Sequence, residues 1–381
     1  MTPKSIADFR ITNTVGEGSY STVVCGFLRT EAETANRRLF AIKVLSKAHL
    51  IKHKKVKYAG IEKDALIRIG ASPTTPAKSQ PPATISSSSI ALVGSLRTIR
   101  LWWAFQDAQS LYFIVDYVEN RDLTYWLRRR TAPLSVKAVQ FYIAEIVSAL
   151  AWIHSKGVIH RDLKPDNILM TNSMDIKLAD FGSARLIEDS KPEPDKLQGR
   201  TRVHSFVGTA EYVSPEVLGE SGIKPEECIG AETGSDFWAL GCIIYQLLTL
   251  TWPFTAATEF LIFQKILKKQ WGWPEGIENT WNEDEKELGG QVKNLVAGLL
   301  AHHPKDRLGS TIYPRYGMEE ILEQPCLASF DWTILPHVEA EETDQKTIQR
   351  GHDLWFADGL ITAQQPQKEI EVDPFLATLV R

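Results

Sequence analysis

Eight consecutive residues concentrate the reactive chemistry of this chain: His160-Arg161-Asp162-Leu163-Lys164-Pro165-Asp166-Asn167, just after a turn marked by Gly157. They hold a carboxylate suited to act as a base, two cations, and an amide able to ligate a metal. Asp180-Phe181-Gly182 follows, 13 residues after Asn167 and behind the strand-like run Ile176 to Leu178. A hydroxyl nucleophile needs a carboxylate to orient it and take its proton, while nucleotide phosphates need Mg²⁺ held by hard oxygen ligands. Asp162 suits the first task; Asn167 and Asp180 suit the second.

Two upstream features belong with this set. Gly16-Glu17-Gly18-Ser19-Tyr20-Ser21-Thr22-Val23 lies between two strand-like runs, and glycines let a backbone approach phosphate closely. A dinucleotide site would instead open a helix after its glycines. Taken alone, the run fits a Gly-rich hairpin equally well. Ala41-Ile42-Lys43 places a lysine in an apolar strand, a costly position for a cation unless anions meet it. Glu62, 19 residues later in a helical segment, is a candidate partner. A lysine on the solvated face of an edge strand is the alternative.

The elements that must position these groups follow from periodicity. Short β-branched runs at Ile11 to Val15, Ser21 to Phe27 and Leu39 to Val44 predict an antiparallel meander. Residues 46–69 turn helical and end near Gly70, and strand character resumes at Arg97 to Phe105 and Leu111 to Tyr117. Between them, residues 71–90 hold four prolines, six serines and one charged residue. Such a stretch buries too little apolar surface to offset its ordering entropy, so a disordered insertion is expected over 71–96. After Glu119, helical spacing dominates to about Phe330. A small strand-rich lobe over 9–118, a larger helical lobe over 119–330 and a polar tail over 331–381 are therefore predicted.

Composition narrows the function classes. The 381 residues are 43% hydrophobic and 24% charged, with a formal net charge of −4. That is ordinary globular usage, with enough apolar material for a substantial core and no global basic excess for nucleic acid or anionic membranes. Cys25, Cys228, Cys242 and Cys326 show no paired spacing, which predicts neither a disulfide framework nor a zinc site and points to a reducing, cytoplasmic setting. Met1 to Arg10 lacks the apolar core of an export signal. Phe237 to Phe254 runs 18 residues without a formal charge but contains Gln246, Thr249, Thr251 and Pro253. It reads as a buried helix rather than a membrane span.

Together these motifs resemble the protein-kinase signature set, over about Phe9 to Phe330. The resemblance implies an α+β, bilobal protein-kinase fold: a small antiparallel β-rich lobe with its C-helix, and a larger, mainly helical lobe. It implies ATP and Mg²⁺ as cofactors and protein substrates as partners. Gly16, Glu17, Gly18 and Ser19 would cover the phosphates. Lys43, paired with Glu62, would contact the α- and β-phosphates, and Lys164 would neutralise the γ-phosphate. Val15, Val23, Ala41 and Leu169 would sandwich the adenine, Asp116 and Val118 would offer hinge backbone groups, and Val115 would guard the rear. Asp122 completes the nucleotide set, with Asp162 as base and Asn167 and Asp180 as metal ligands. Glu216 of Ser214-Pro215-Glu216 would pair with Arg307.

Finer strings, including Ser205 to Glu216, Trp238 to Gln246 and Phe260 to Ile266, resemble the 3-phosphoinositide-dependent protein kinase family of the AGC group. That family phosphorylates activation loops of other AGC kinases and recruits them by hydrophobic C-terminal motifs. The resemblance implies an activation-loop phosphosite at Ser205, with Arg161 and Arg185 as its cations. It also implies a docking groove at Lys47, Leu50, Ile51, Gln106 and Leu111. The alternative for Leu50, Ile51 and Leu111 is plain helix-on-sheet packing. No pleckstrin-type lipid-binding domain is expected within these residues. Two other readings compete: a pseudokinase scaffold, and an AGC kinase of another branch directed at basic peptides. Gln246, where basic-directed relatives carry a glutamate, counts against the second.

Overall fold

The structure, a computed structural model, describes residues 5–18, 21–32, 37–70, 87–187, 210–218, 233–310 and 314–335. Its small lobe is built on a five-stranded antiparallel sheet in the order β1-β2-β3-β5-β4, formed by Phe9–Glu17 (β1), Ser21–Leu28 (β2), Phe40–Ser46 (β3), Leu101–Gln106 (β4) and Ser110–Asp116 (β5). The predicted meander is thus present. Val and Ile alternate between two faces, as a period of two requires. One face buries Phe9, Val24, Phe40, Ile42, Tyr112 and Ile114 in a small separate core. The other carries Ala41, Lys43 and Val115 toward the large lobe, with Ala41 opposite Val115 and Lys43 opposite Phe113 in register. The β1–β2 pairing slips between Thr14 and Gly16. A bulge of this kind bends a strand and re-aims its side chains, here at Val15 beside the glycine turn.

Two helices follow β3. Ser46 caps Lys47–Lys52 (α1) by accepting a hydrogen bond from His49 N at 3.4 Å. Val56–Gly70 (α2) buries Ala59, Ala65, Leu66 and Ile69 at helical spacing, and Glu62 with them.

The next element corrects the sequence reading. Residues 87–96, expected to be disordered, form the helix Ser87–Gly94 (α3) and enter a 3₁₀ turn over Ser95–Arg97. Ile90, Ala91 and Val93 are buried, which supplies the apolar surface that serine content alone concealed. Residues 71–86 of the expected insertion lie outside the described residues. The strand expected from Arg97 begins only at Leu101, because Arg97 is drawn inward: its Nε donates to Glu145 at 3.1 Å and its Nη1 donates to the Val93 carbonyl at 3.0 Å.

The large lobe contains Leu123–Leu127 (α4), the central helix Val136–Ser155 (α5), and short strands Val158–Ile159 (β6), Ile168–Met170 (β7), Ile176–Leu178 (β8) and Arg185–Leu186 (β9). Gly234–Thr249 (α6), Glu259–Leu267 (α7), Glu283–Leu299 (α8), Pro314–Leu322 (α9) and Pro325–Ala328 (α10) complete it. α5 is long and apolar enough to span a bilayer, but 89% of its apolar window is buried among the other helices. α3 crosses α5 at contact distance: a Cβ on Gly94 would fall 1.7 Å from the Ser148 carbonyl oxygen, so only glycine fits. The uncharged run predicted as a buried helix is α6, with residues Phe237 to Leu248 all buried. Trp332 and Leu335 are buried too, so the first residues assigned to the tail pack on the large lobe. Residues 336–381 lie outside the described residues.

Candidate active site

The catalytic loop is shaped by one buried carboxylate. Asp236, in the first turn of α6, accepts from the backbone N–H groups of His160 at 2.9 Å and Arg161 at 2.7 Å, and sits 2.9 Å from His154 Nε2. Burial, the largest single influence, would raise its carboxyl pKa, but the hydrogen bonds and charge interactions from His154, His160 and the Arg161 N–H together hold it below the usual range. Arg161 adopts a left-handed backbone, φ +65°, a costly state for a residue with a side chain and one the Asp236 contacts sustain. The turn brings Asp162 up to Lys164 and Asn167.

There Lys164 Nζ donates to both carboxylate oxygens of Asp162, at 3.0 and 2.9 Å. Asn167 Nδ2 donates to the Asp162 carbonyl at 2.7 Å. The side-chain oxygen of Asn167 is then the atom left for a cation. His160 Nε2 lies 3.0 Å from the Ala179 carbonyl, and its ring lies 5.0 Å from that of Phe181. The loop that holds Asp162 is thereby joined to the segment that holds Asp180.

The small lobe contributes the cation expected from the sequence. Lys43 Nζ lies 2.5 Å from Glu62 and 3.4 Å from Asp180, so its strand position is matched by two anions. Burial lowers the Lys43 pKa, yet these anions raise it more, and the ammonium stays charged. Lys43 in turn is the main cause holding the Asp180 carboxyl below its ordinary value. An ionised Asp180 with the Asn167 amide is a hard-oxygen donor pair. It suits Mg²⁺, which binds through one or two carboxylates while phosphates and water complete its shell.

The expected nucleotide pocket is assembled from five segments. Val15 lies on β1, Val23 on β2 and Ala41 on β3, while Val115 and Asp116 end β5 ahead of Val118. Leu169 lies on β7, bridged to Asp122. Ala41, Val115 and Val118 are buried, whereas Val15 is exposed. The β1–β2 turn is closed by Gly18 N donating to the Ser21 carbonyl at 2.8 Å, and a side chain on Gly16 would meet nothing within 4 Å. That leaves open space for a ligand. Glu17 sits at the end of β1; Ser19 lies outside the described residues. Asp122 accepts from Tyr125 N at 2.7 Å as the cap of α4, and burial raises its carboxyl pKa.

Behind the site, Arg307 makes a two-pronged pair with Glu216 at 2.7 and 2.9 Å, the geometry that strengthens such contacts. Gln246 is engaged internally, because the Tyr212 hydroxyl donates to its amide oxygen at 2.5 Å and Trp252 Nε1 donates to that hydroxyl at 2.9 Å. The expected phosphosite, Ser205, lies outside the described residues; Arg161 and Arg185 lie within them.

The proposed docking positions divide. Lys47 N donates to the Gln109 carbonyl and Lys47 Nζ to the Asp107 carbonyl, which seats α1 against the β4–β5 turn. Gln106 and Leu111 are register partners across β4 and β5. Leu50 is buried in the main core and Leu111 packs partly against it, so those two follow the packing alternative. Ile51 is 68% exposed. Sequence reasoning missed the roles of Asp236 and His154; the available signal was an aspartate opening an otherwise apolar helix.

Comparison with known proteins agrees with the fold. The family model described as protein kinase domain matches residues 87–327. Serine/threonine-protein kinase PKH2 of Candida albicans is 41% identical over 304 residues, covering 80% of this chain and 27% of that protein. The 3-phosphoinositide-dependent protein kinase 1 of Rattus norvegicus is 38% identical over 325 residues, covering 85% of this chain and 48% of that protein. The putative 3-phosphoinositide-dependent protein kinase 2 of Homo sapiens is 37% identical over 325 residues, covering 85% and 67% respectively. The chain therefore spans about a quarter to two thirds of the length of these relatives. With a β-sheet lobe over a helical lobe, a lysine–glutamate pair facing the acidic loop and these likenesses, the chain belongs to the protein kinase family, among the AGC-group serine/threonine kinases similar to the 3-phosphoinositide-dependent enzymes.

Proposed function

We propose that this chain transfers the γ-phosphoryl group of ATP, bound as its Mg²⁺ complex, to serine or threonine in the activation loops of other AGC kinases. The observation that supports activity is the unbroken chain of contacts Glu62–Lys43–Asp180, with Lys164 bracketing the Asp162 carboxylate. No catalytic position is substituted. In this reading Lys43 orients the α- and β-phosphates and Asn167 and Asp180 hold the metal, which supplies charge neutralisation at the phosphates. Asp162 orients the incoming hydroxyl and accepts its proton as the oxygen attacks phosphorus and ADP leaves. Lys164, already on Asp162, balances charge at the transferred group.

Two observations support the choice of substrate. Gln246 is held by Tyr212, so this position offers no carboxylate to a substrate arginine, against a basic-directed reading. In addition, Ile51 of α1 and Val56 of α2 are 68% and 54% exposed, apolar side chains available to an aromatic anchor. Lys47 and Gln106 form the polar rim of that groove. Ser205, when phosphorylated, would add a dianion for Arg161 and Arg185.

Ile51→Glu tests the docking part without disturbing the core, since the side chain already faces solvent. Burying one such apolar side chain contributes about 1.5 to 3 kcal/mol before binding costs, so kcat/KM on substrates with a Phe-x-x-Phe tail should fall about tenfold or more. Short activation-loop peptides should be phosphorylated at the wild-type rate. Equal rates on tailed substrates for variant and wild type would remove the groove from the account.

A further inference from the structure

The strand that leads to the metal-binding Asp180 is held from behind at three successive residues. Ile176 N donates to Glu145 Oε2 at 3.0 Å, and Leu178 O accepts from Ile99 N at 3.0 Å. Between them, Lys177 Nζ lies 3.1 Å from Asp116 Oδ2 in a largely buried ion pair. Lys177 is also the register partner of Leu169 across β7 and β8. One residue therefore touches the end of the small-lobe sheet, the expected floor of the adenine pocket and the strand of the metal ligand.

The partner is as well fixed as the lysine. The Asp116 carboxylate accepts from three donors on two segments: Lys177 of β8, and the Arg100 backbone N–H at 3.0 Å and Trp102 Nε1 at 2.8 Å at the start of β4. The Asp116 N–H donates to the Arg100 carbonyl at 3.1 Å. Of the roughly four acceptor directions a carboxylate offers, three are filled. Two of the three donors come from the small lobe and one from the large lobe, so the pair crosses the joint between lobes directly behind the hinge.

We propose that Lys177 is a positioning residue that sets the hinge for adenine recognition by fixing Asp116 against β8. The Asp116 backbone carbonyl is the expected acceptor for the adenine 6-amino group, so this inference rests on the nucleotide-binding reading above. Removing the ammonium frees the carboxylate from the large lobe and lets the start of the hinge shift relative to the strand of Asp180. Small misplacements of a recognition group lose a directional hydrogen bond while leaving less directional stacking and phosphate contacts in place.

The test measures equilibrium binding of two magnesium nucleotides to the purified chain: ATP, and purine riboside triphosphate, which lacks the 6-amino group. The wild type should bind ATP about five- to tenfold more tightly, the value of one net hydrogen bond. Lys177→Met should weaken ATP binding by about three- to tenfold, leave purine riboside triphosphate within about twofold, and so collapse the ratio toward one. Lys177→Arg, which keeps a cation in reach of Asp116, should restore the ratio. In turnover assays, Lys177→Met should raise the KM for ATP with kcat nearly unchanged. A Lys177→Met protein that keeps the wild-type ratio, or loses both nucleotides equally without rescue by arginine, would overturn the assignment. A wild type unable to tell the two nucleotides apart would overturn the hinge reading itself, and this inference with it.

Discussion

Asp162→Asn lowers turnover on a protein substrate by about 10² to 10⁴-fold, the usual value of a positioned base, while the KM for ATP stays within a fewfold of wild type. The reasoning is geometric. Asparagine is isosteric and its side-chain oxygen still accepts from Lys164, whose Nζ now spans both carboxylate oxygens at 3.0 and 2.9 Å. The Asp162 carbonyl still receives the Asn167 amide, so the loop and its proposed metal ligand keep their places. What disappears is the proton acceptor facing the incoming hydroxyl. Since the proposed nucleotide contacts come from Lys43, Asp180, Asn167 and the hinge, binding and chemistry should separate in this variant. Steady-state kinetics with a titration of ATP checks both halves, and an unchanged kcat would remove Asp162 from the role of base.

Arg97→Met gives the second large effect, on stability. Arg97 and Glu145 are both almost fully buried and lie 3.1 Å apart. Breaking such a pair by removing one partner leaves a charge in the interior and costs about 3 to 5 kcal/mol. At roughly 2 to 4 °C per kcal/mol for a domain of 150 to 250 residues, the melting temperature should fall by about 6 to 20 °C. Combining it with Glu145→Gln should recover at least about half of that loss, because neither charge is then buried and the amide oxygen can still accept from Ile176 N. Thermal melts of the two single variants and the double variant measure the coupling. A melting point unmoved by Arg97→Met would mean that the turn after α3 contributes nothing to the junction of the lobes.

This junction is also where sequence reasoning fell short. The meander, the helical stretch that holds α1 and α2, the buried α6 and the lysine–glutamate pairing were legible because hydrophobic periodicity and the high cost of a lone strand lysine are local or pairwise signals. α3 was not, since a run of serines before Ile90 looks like a continuation of the Ser- and Pro-rich sequence upstream of it. Its stability comes from tertiary burial of Ile90, Ala91 and Val93 and from the close approach of Gly94 to α5, neither of which has a periodic signature in eight residues. Arg97 appeared to open a strand for the same reason: nothing nearby in sequence announces Glu145, 48 positions away.

In the candidate site, motif spacing singled out the residues proposed to touch nucleotide or hydroxyl but not those that hold them in place. Asp236 and His154 shape the catalytic loop from other helices, and the Lys177–Asp116 pair joins positions 61 residues apart. Leu50 shows the converse. Its type and position fit a docking pocket, yet its side chain is spent on the core, whereas Ile51 and Val56 are exposed and carry the proposed docking.

The central claim is tested most directly by incubating the purified chain with γ-labelled ATP, Mg²⁺ and a catalytically inactive AGC kinase bearing its C-terminal hydrophobic motif, then mapping the label. Label on a serine or threonine of the partner's activation loop, absent with Asp162→Asn, is the predicted result. No transfer to any protein substrate, or label confined to tyrosine, would contradict it.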